Sequence, residues 1–262
     1  MNSKVMSVTP SVSLSITASA KEMTAAGREI FNFAAGEPDF DTPSSIKTAC
    51  EDALSGGYTK YSPVGGIPQL CKAISEKLKR ENGLNYGERQ VLVSAGAKHS
   101  LFNIFMAVFN EGDEVIIPAP YWLSYPEMAK IAGVNAVIVH CGEKSDFKIT
   151  VDELERAVTE KTKAVLINSP SNPIGVIYTE EELRKIAEVA VKKDILVISD
   201  EIYEDMVYDG AKHFSIGSVS DEVLKRTITV NGFSKTYAMT GWRLGYCAAD
   251  EKMIGAMRAL QS

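Results

Sequence analysis

From residue 90 onward the chain alternates short, unbroken apolar runs with amphipathic stretches, and no other feature limits its fold so sharply. QVLVS (90–94), EVIIP (114–118), NAVIVH (135–140), KAVLIN (163–168), ILVISD (195–200), RTITVN (226–231) and RLGYCAA (243–249) read as strands. Between them AKHSLFNIFMAVF (97–109), WLSYPEMAKIAG (despite Pro126), VDELERAV and TEEELRKIAEVAVKKD read as helices. The last is capped by Thr179, with Glu182 at the capping-box position. EKMIGAMRALQS opens one more helix. Strands without polar alternation are buried on both faces, which requires helices on both sides. The rhythm predicts an α/β fold with a mostly parallel central sheet sandwiched by helices.

Upstream, residues 1–13 read as a flexible arm, SLSITASAKEMTAAG as a helix stopped by Gly27, and IFNF as a short strand. AAGEPDFDTP is a loop of turn formers, SSIKTACEDALSGG a helix with a serine cap and a glycine stop, and PQLCKAISEKLKRENG a further helix. At 262 residues, net charge -6 and 45% hydrophobic, the chain is long enough for one large core or for a domain and part of a second. No basic stripe points to nucleic acid and no Lys/Arg block points to an anionic membrane. Cys50, Cys71, Cys141 and Cys247 are widely spaced, which favours buried thiols in a reducing compartment over disulfides or a metal site. His99, His140 and His213 are isolated in sequence, so no metal site is expected. The first twenty residues lack the apolar core of a signal peptide, and no run approaches a membrane span. A cytoplasmic protein is the expectation.

Ligands of open parallel sheets bind beyond the carboxyl ends of the strands, so chemistry is sought there. SAGAKHS after the first strand offers either a tight turn or, through Gly96, Ala97 and Lys98, a helix N-terminus for a phosphate. Trp122 is either a core aromatic or a flat plate for a ring. Asn172, in SPSNPIG, is a turn asparagine or an amide aimed at a ligand. Asp200 ends a strongly apolar strand, as a helix N-cap or as a carboxylate awaiting a cation. Tyr203 can point the same way if a helical turn follows. A nucleophilic Lys235 needs a site that lowers its pKa, and Arg243 forks two donors at a phosphate. No nucleotide motif of the G-x-G-x-x-G or G-x-x-x-x-G-K-[ST] kind follows a strand. Together these groups match pyridoxal 5′-phosphate: phosphate, flat ring, protonated ring nitrogen, phenolate oxygen and aldehyde.

Seven motifs in order carry a resemblance: AAGEPDFDTP, KYSPVGGIPQL, SAGAKHSLFN, PYWLSYPEM, NSPSNPIG, SDEIYE and NGFSKTYAMTGWRLGY. The chain resembles the class I/II aminotransferases of fold type I, and within them the bacterial aspartate aminotransferases. The resemblance implies that Lys235 binds the cofactor aldehyde and moves the substrate Cα proton. It implies that Asp200 faces the ring nitrogen, through a charge-assisted bond of about 1.5–3 kcal/mol. Tyr203 and Asn172 would face the ring oxygen and Trp122 the ring, while Arg243, Gly96, Ala97 and Lys98 hold the phosphate. Tyr61 matches a tyrosine that reaches the other subunit's phosphate, which implies a homodimer. Gly36, with Trp122 and Asn172, would meet the substrate carboxylate.

Residues 1–43 would be the N-terminal arm and part of a small domain, and 44–262 the cofactor-binding large domain. Members of that family are longer, so residues 1–262 would lack the rest of the small domain and the arginine that grips the α-carboxylate, either as a truncated sequence or as a natural short form. Arg258, the last arginine here, lies too close in sequence to Lys235 for that role. The implied reaction is ping-pong transfer of an amino group between an amino acid, aspartate first, and a 2-oxo acid, 2-oxoglutarate first. Aromatic amino acid or prephenate transamination is the alternative. A non-catalytic cofactor-binding or partner-binding fragment is the alternative of another class, since weak or absent turnover is expected of this stretch alone.

Overall fold

The computed structural model describes residues 3–10, 12–33 and 36–262. α1 (Ser3–Met6) and α2 (Val12–Ala25) open it. The stretch expected to be a flexible arm therefore contains a helical turn, tied down by Lys4 to Glu111 at 2.9 Å. α2 ends as expected: Gly27 has φ +80°, and the N–H of Arg28 donates to the carbonyl of Met23. IFNF is not a strand. Phe31 and Phe33 are 78% and 95% exposed, and a run without a ladder partner has nothing to hold it extended. α3 (Ser44–Ser55) starts one residue earlier than a serine cap requires, so Pro43 is its N-cap and no side chain caps it. α4 (Pro68–Asn82) begins on proline, whose missing N–H costs nothing there, and ends at left-handed Gly83.

β1 (Val91–Ser94), α5 (Ala97–Val108), β2 (Glu114–Ala119), α6 (Ser124–Ala132), β3 (Asn135–His140), α7 (Val151–Ala157) and β4 (Thr162–Asn168) follow. Pro126 falls in the first turn of α6, where its N–H would be unpaired anyway. Then come α8 (Glu180–Lys192), β5 (Leu196–Asp200), α9 (Asp221–Arg226), β6 (Thr227–Gly232), β7 (Gly245–Ala248) and α10 (Glu251–Gln261). The capping box on α8 is present, with Thr179 Oγ1 accepting from the N–H of Glu182.

Among the described residues the strands form one sheet in the order β1-β7-β6-β5-β4-β2-β3. β2, β3, β4, β5 and β6 run parallel, and β7 is antiparallel to both of its neighbours. Successive residues serve opposite faces. In β4, Ala164 and Leu166 enter the core under α5, α6 and α10, whereas Val165 and Ile167 enter the core under α7, α8 and α9. A smaller cluster joins α4 to β1 and β7 through Ile74, Leu78, Val91 and Tyr246.

Register decides where loops meet. Gly245 pairs with Ser94 on one side and Gly232 on the other. The loop leaving β1, the loop leaving β6 and the entry to β7 therefore share one corner. Asp200 pairs with Asn168, so β4 and β5 empty beside them.

Candidate active site

Asp200 closes β5 on the face of Ile198, beneath α6, and is 3% exposed. Its Oδ2 accepts from Tyr125 Oη at 2.7 Å and its Oδ1 from the N–H of Ile202 at 3.3 Å. Burial pushes its pKa up to about 6, against those two hydrogen bonds, and the Glu201 charge adds to the rise. A carboxylate so placed calls for a cation in front of it.

Beyond it the chain folds into a tight turn in which the N–H of Glu204 donates to the carbonyl of Glu201 at 2.9 Å. That turn carries Tyr203 toward the loop after β4, where Asn172 Nδ2 donates to Tyr203 Oη at 3.3 Å. Asn172 is itself held, its N–H donating to Asn168 Oδ1 at 2.7 Å, and Asn168 Nδ2 donates to the carbonyl of Asp200 at 2.9 Å. One side chain thus registers two loops.

The phosphate-type corner is built from β1 and β7. Gly96 N-caps α5 with φ +90°, and a Cβ there would lie 2.5 Å from Arg243 Nη2. Only glycine fits both the backbone and the guanidinium. Gly245 is as tight: an added Cβ would lie 2.3 Å from the nitrogen of Ala97. Arg243, at φ +56°, donates from Nη1 to the carbonyl of Thr240 at 2.9 Å, which aims its fork at the start of α5. The first N–H groups of a helix have no partner inside it, so Ala97, Lys98 and Arg243 put donors and positive charge at one corner that could hold an anion. Lys98 Nζ lies 4.9 Å from the centre of the Trp122 ring, and burial followed by the Arg243 charge lowers its pKa. Trp122 packs edge-on against Tyr125, with ring centres 5.3 Å apart.

Lys235 follows β6. Its Nζ donates to the carbonyl of Gly36 and lies 5.7 Å from the Tyr203 ring centre. Burial lowers its pKa and Arg243 lowers it further, against the Glu37 carboxylate. The loop around Gly36 is tied across the lysine loop by Thr42 Oγ1 to the carbonyl of Ala238 at 2.6 Å and Trp242 Nε1 to Thr42 Oγ1 at 3.0 Å. Ala34 and Ala35 of that motif lie outside the described residues.

The structure therefore brings together Lys235, Tyr203, Asn172, Asp200 and Gly36 at one end of the sheet, with Gly96, Ala97, Lys98 and Arg243 at the adjoining corner and Trp122 near Lys98. Tyr61 stands apart on an exposed loop. Arg258 is also elsewhere, donating to the carbonyl of Arg89 at 3.4 Å. Sequence reasoning missed Tyr125 and Asn168; an aspartate buried at a strand end demands donors, but nothing local names them. His213, isolated in sequence, meets a partner only in the fold: its Nε2 lies 3.0 Å from Glu201 Oε2. The donor set fits pyridoxal phosphate, since it offers a carboxylate for a ring nitrogen, donors for a ring oxygen, an anion cradle and a desolvated amine.

The class I and II aminotransferase family model matches residues 28–262. The chain belongs to that family. It is 52% identical over 259 residues to an aspartate aminotransferase of Bacillus sp. (strain YM-2), covering 99% of this chain and 66% of that protein. It is 51% identical over 260 residues to a probable aspartate/prephenate aminotransferase of Aquifex aeolicus, again over 99% and 66%. The fold superposes on aspartate aminotransferase from Thermus thermophilus with maleate at TM-score 0.96 and 43% identity, covering 100% of this chain and 68% of that one. The chain thus spans about two thirds of the length of the curated relatives it matches.

Proposed function

We propose that this chain is the cofactor-binding part of a pyridoxal phosphate-dependent aminotransferase acting on aspartate and 2-oxoglutarate. The observation that carries the reading is Lys235: an amine held between Gly36 and the Tyr203 ring, with its pKa lowered by burial, facing the turn that bears Asp200. Pyridoxal phosphate, when bound, supplies an aldehyde for that amine and a ring that accepts electrons. This chain's residues do the rest. Asp200 keeps a proton on the ring nitrogen, and Tyr203 with Asn172 donates to the ring oxygen. Arg243 and the first turn of α5 hold the phosphate, with Lys98 adding positive charge beside them. Trp122 covers the ring and keeps water off it. Lys235 in its neutral form would take the proton from the substrate Cα and return it to the carbon that carried the aldehyde. Gly36, Trp122 and Asn172 border the place for the substrate carboxylate.

Prephenate or an aromatic amino acid is the second reading for the substrate, favoured by the aspartate/prephenate name of the Aquifex relative. Steady-state rates with aspartate, prephenate and phenylalanine separate the readings. A homodimer belongs to this reading, because Tyr61 matches the family tyrosine that reaches the other subunit's phosphate, and it is exposed on a loop. All four cysteines are free thiols, which suits the reducing cytoplasm; none of the described helices is long and apolar enough to cross a membrane.

The deciding experiment is borohydride reduction in the presence of pyridoxal phosphate, followed by intact mass and peptide mapping. One adduct on the peptide containing Lys235 is expected, and Lys235→Ala abolishes it. An adduct on another lysine, or none, overturns the reading. Adding aspartate to the unreduced complex then separates an enzyme, which converts the coenzyme to its amine form, from a non-catalytic binder.

A further inference from the structure

Behind the turn that carries Asp200 and Tyr203 lies a second polar cluster, on the opposite face of the sheet. Alternation along β5 puts Asp200 toward α6 and turns Ser199 and Glu201 the other way, so Ser199 Oγ donates to Glu201 Oε1 at 2.8 Å. Glu201, 1% exposed, receives Ser215 Oγ at 2.6 Å, His213 Nε2 at 3.0 Å and Asn82 Nδ2 at 3.3 Å. Glu204, at the end of the same turn, receives Asn82 Nδ2 at 2.6 Å and the ammonium of Lys77. Lys77 also donates to Asn82 Oδ1 at 2.7 Å, and Asn82 donates to Ser215 Oγ at 2.9 Å. Glu201, Glu204 and His213 are the kind of trio that ligates metal, but Lys77 already supplies the cation.

Two buried carboxylates on one short turn are costly unless each is paired. Here the partners come from two separate elements, α4 and the segment at 213–215. They grip both ends of the turn, Glu201 and Glu204, while Tyr203 between them faces the other way to Asn172. Thr236 Oγ1 donates to Asp205 Oδ2 at 2.8 Å, which couples the loop of Lys235 to the same turn.

We infer that Glu201, Glu204, His213, Ser215, Lys77 and Asn82 form a charged clamp that positions Asp200 and Tyr203 from behind the sheet. These are positioning residues, since they touch neither the cofactor place nor Lys235. The inference about what the clamp serves rests on the cofactor reading above; that it holds the turn does not.

The test uses His213→Ala, His213→Gln, whose amide reaches the place of Nε2, and Ser215→Ala, which removes one donor with little change of volume. In the cofactor-free chain, amides of residues 200–206 should exchange with deuterium about tenfold faster in H213A and S215A, with β3 and α6 unchanged and H213Q near wild type. With pyridoxal phosphate bound, the pH midpoint of its absorbance should rise by about half a unit, because a loosened Tyr203 donates less well to the ring oxygen. In a Tyr203→Phe background, S215A should add no further shift. Unchanged exchange at 200–206 in folded S215A overturns the clamp, whether or not H213A folds. An additive shift in the Tyr203→Phe background overturns its action through Tyr203. If wild type gives no coenzyme absorbance, the cofactor reading fails and the exchange result still decides the clamp.

Discussion

Asp200 shows how one residue can be legible in a sequence while its environment is not. A carboxylate at the end of ILVISD stands out because apolar strands bury their ends, and burial without donors is costly. Tyr125, which supplies the donor, lies 75 residues earlier on another element, and only the packing of α6 on the sheet brings its hydroxyl to 2.7 Å. The raised pKa has a consequence for the cofactor-free chain. Between an ordinary carboxylate value of 3.8 and the folded value of about 6, the native state binds the proton that the unfolded state lacks. Asp200 therefore costs stability above pH 6, and that cost fades as pH falls toward 4. Its full size is about 3 kcal/mol. Urea unfolding should find Asp200→Asn more stabilising, relative to wild type, at pH 7.5 than at pH 4.5. Gly96 makes a second prediction at this scale. Gly96→Ala drives a methyl into the Arg243 guanidinium at a positive φ, so pyridoxal phosphate affinity by titration should fall about tenfold or more.

Helices and strands were readable wherever a core face imposed a period over several turns or a whole strand; α9, six residues long, is too short to show one and was not read from the sequence. All seven strands of the sheet fall where apolar runs predicted them, because each is covered on both sides. IFNF failed for the complementary reason: pairing is a property of two strands, and Phe31 and Phe33 find no core. α10 carries the prediction at this scale. Gln261, near its end, accepts at Oε1 from Ser94 Oγ and Asn103 Nδ2, both at 2.9 Å, and donates from Nε2 to the carbonyls of Val64 and Val93, both at 2.8 Å. It fastens the helix to β1, α5 and the loop that follows Tyr61. Gln261→Ala should cost about 1–3 kcal/mol in denaturant unfolding, because it strands several half-buried polar groups. Leu260→Ala, next to it but 46% exposed, should change stability by no more than about 0.5 kcal/mol.

Over the whole molecule, large apolar side chains crowd the exposed part of residues 31–67: Phe31, Phe33, Phe40, Tyr58 and Tyr61 are each more than 70% exposed. So much exposed apolar surface is the surface that the proposed homodimer would cover. The homodimer proposed above predicts that Phe33→Ser with Tyr61→Ser shifts sedimentation from dimer to monomer, while the unfolding midpoint of the monomer barely moves, because neither residue is buried within one copy. The α/β class, the places of the strands and the residue types at their ends were determined by the sequence itself, through local periodicity and the cost of burying charge. The strand order was not, nor the antiparallel insertion of β7, nor the meeting of Gly96 with Arg243 or Tyr125 with Asp200. Those contacts join segments tens to more than a hundred residues apart, and only the packing of helices on a sheet of fixed register brings them within reach.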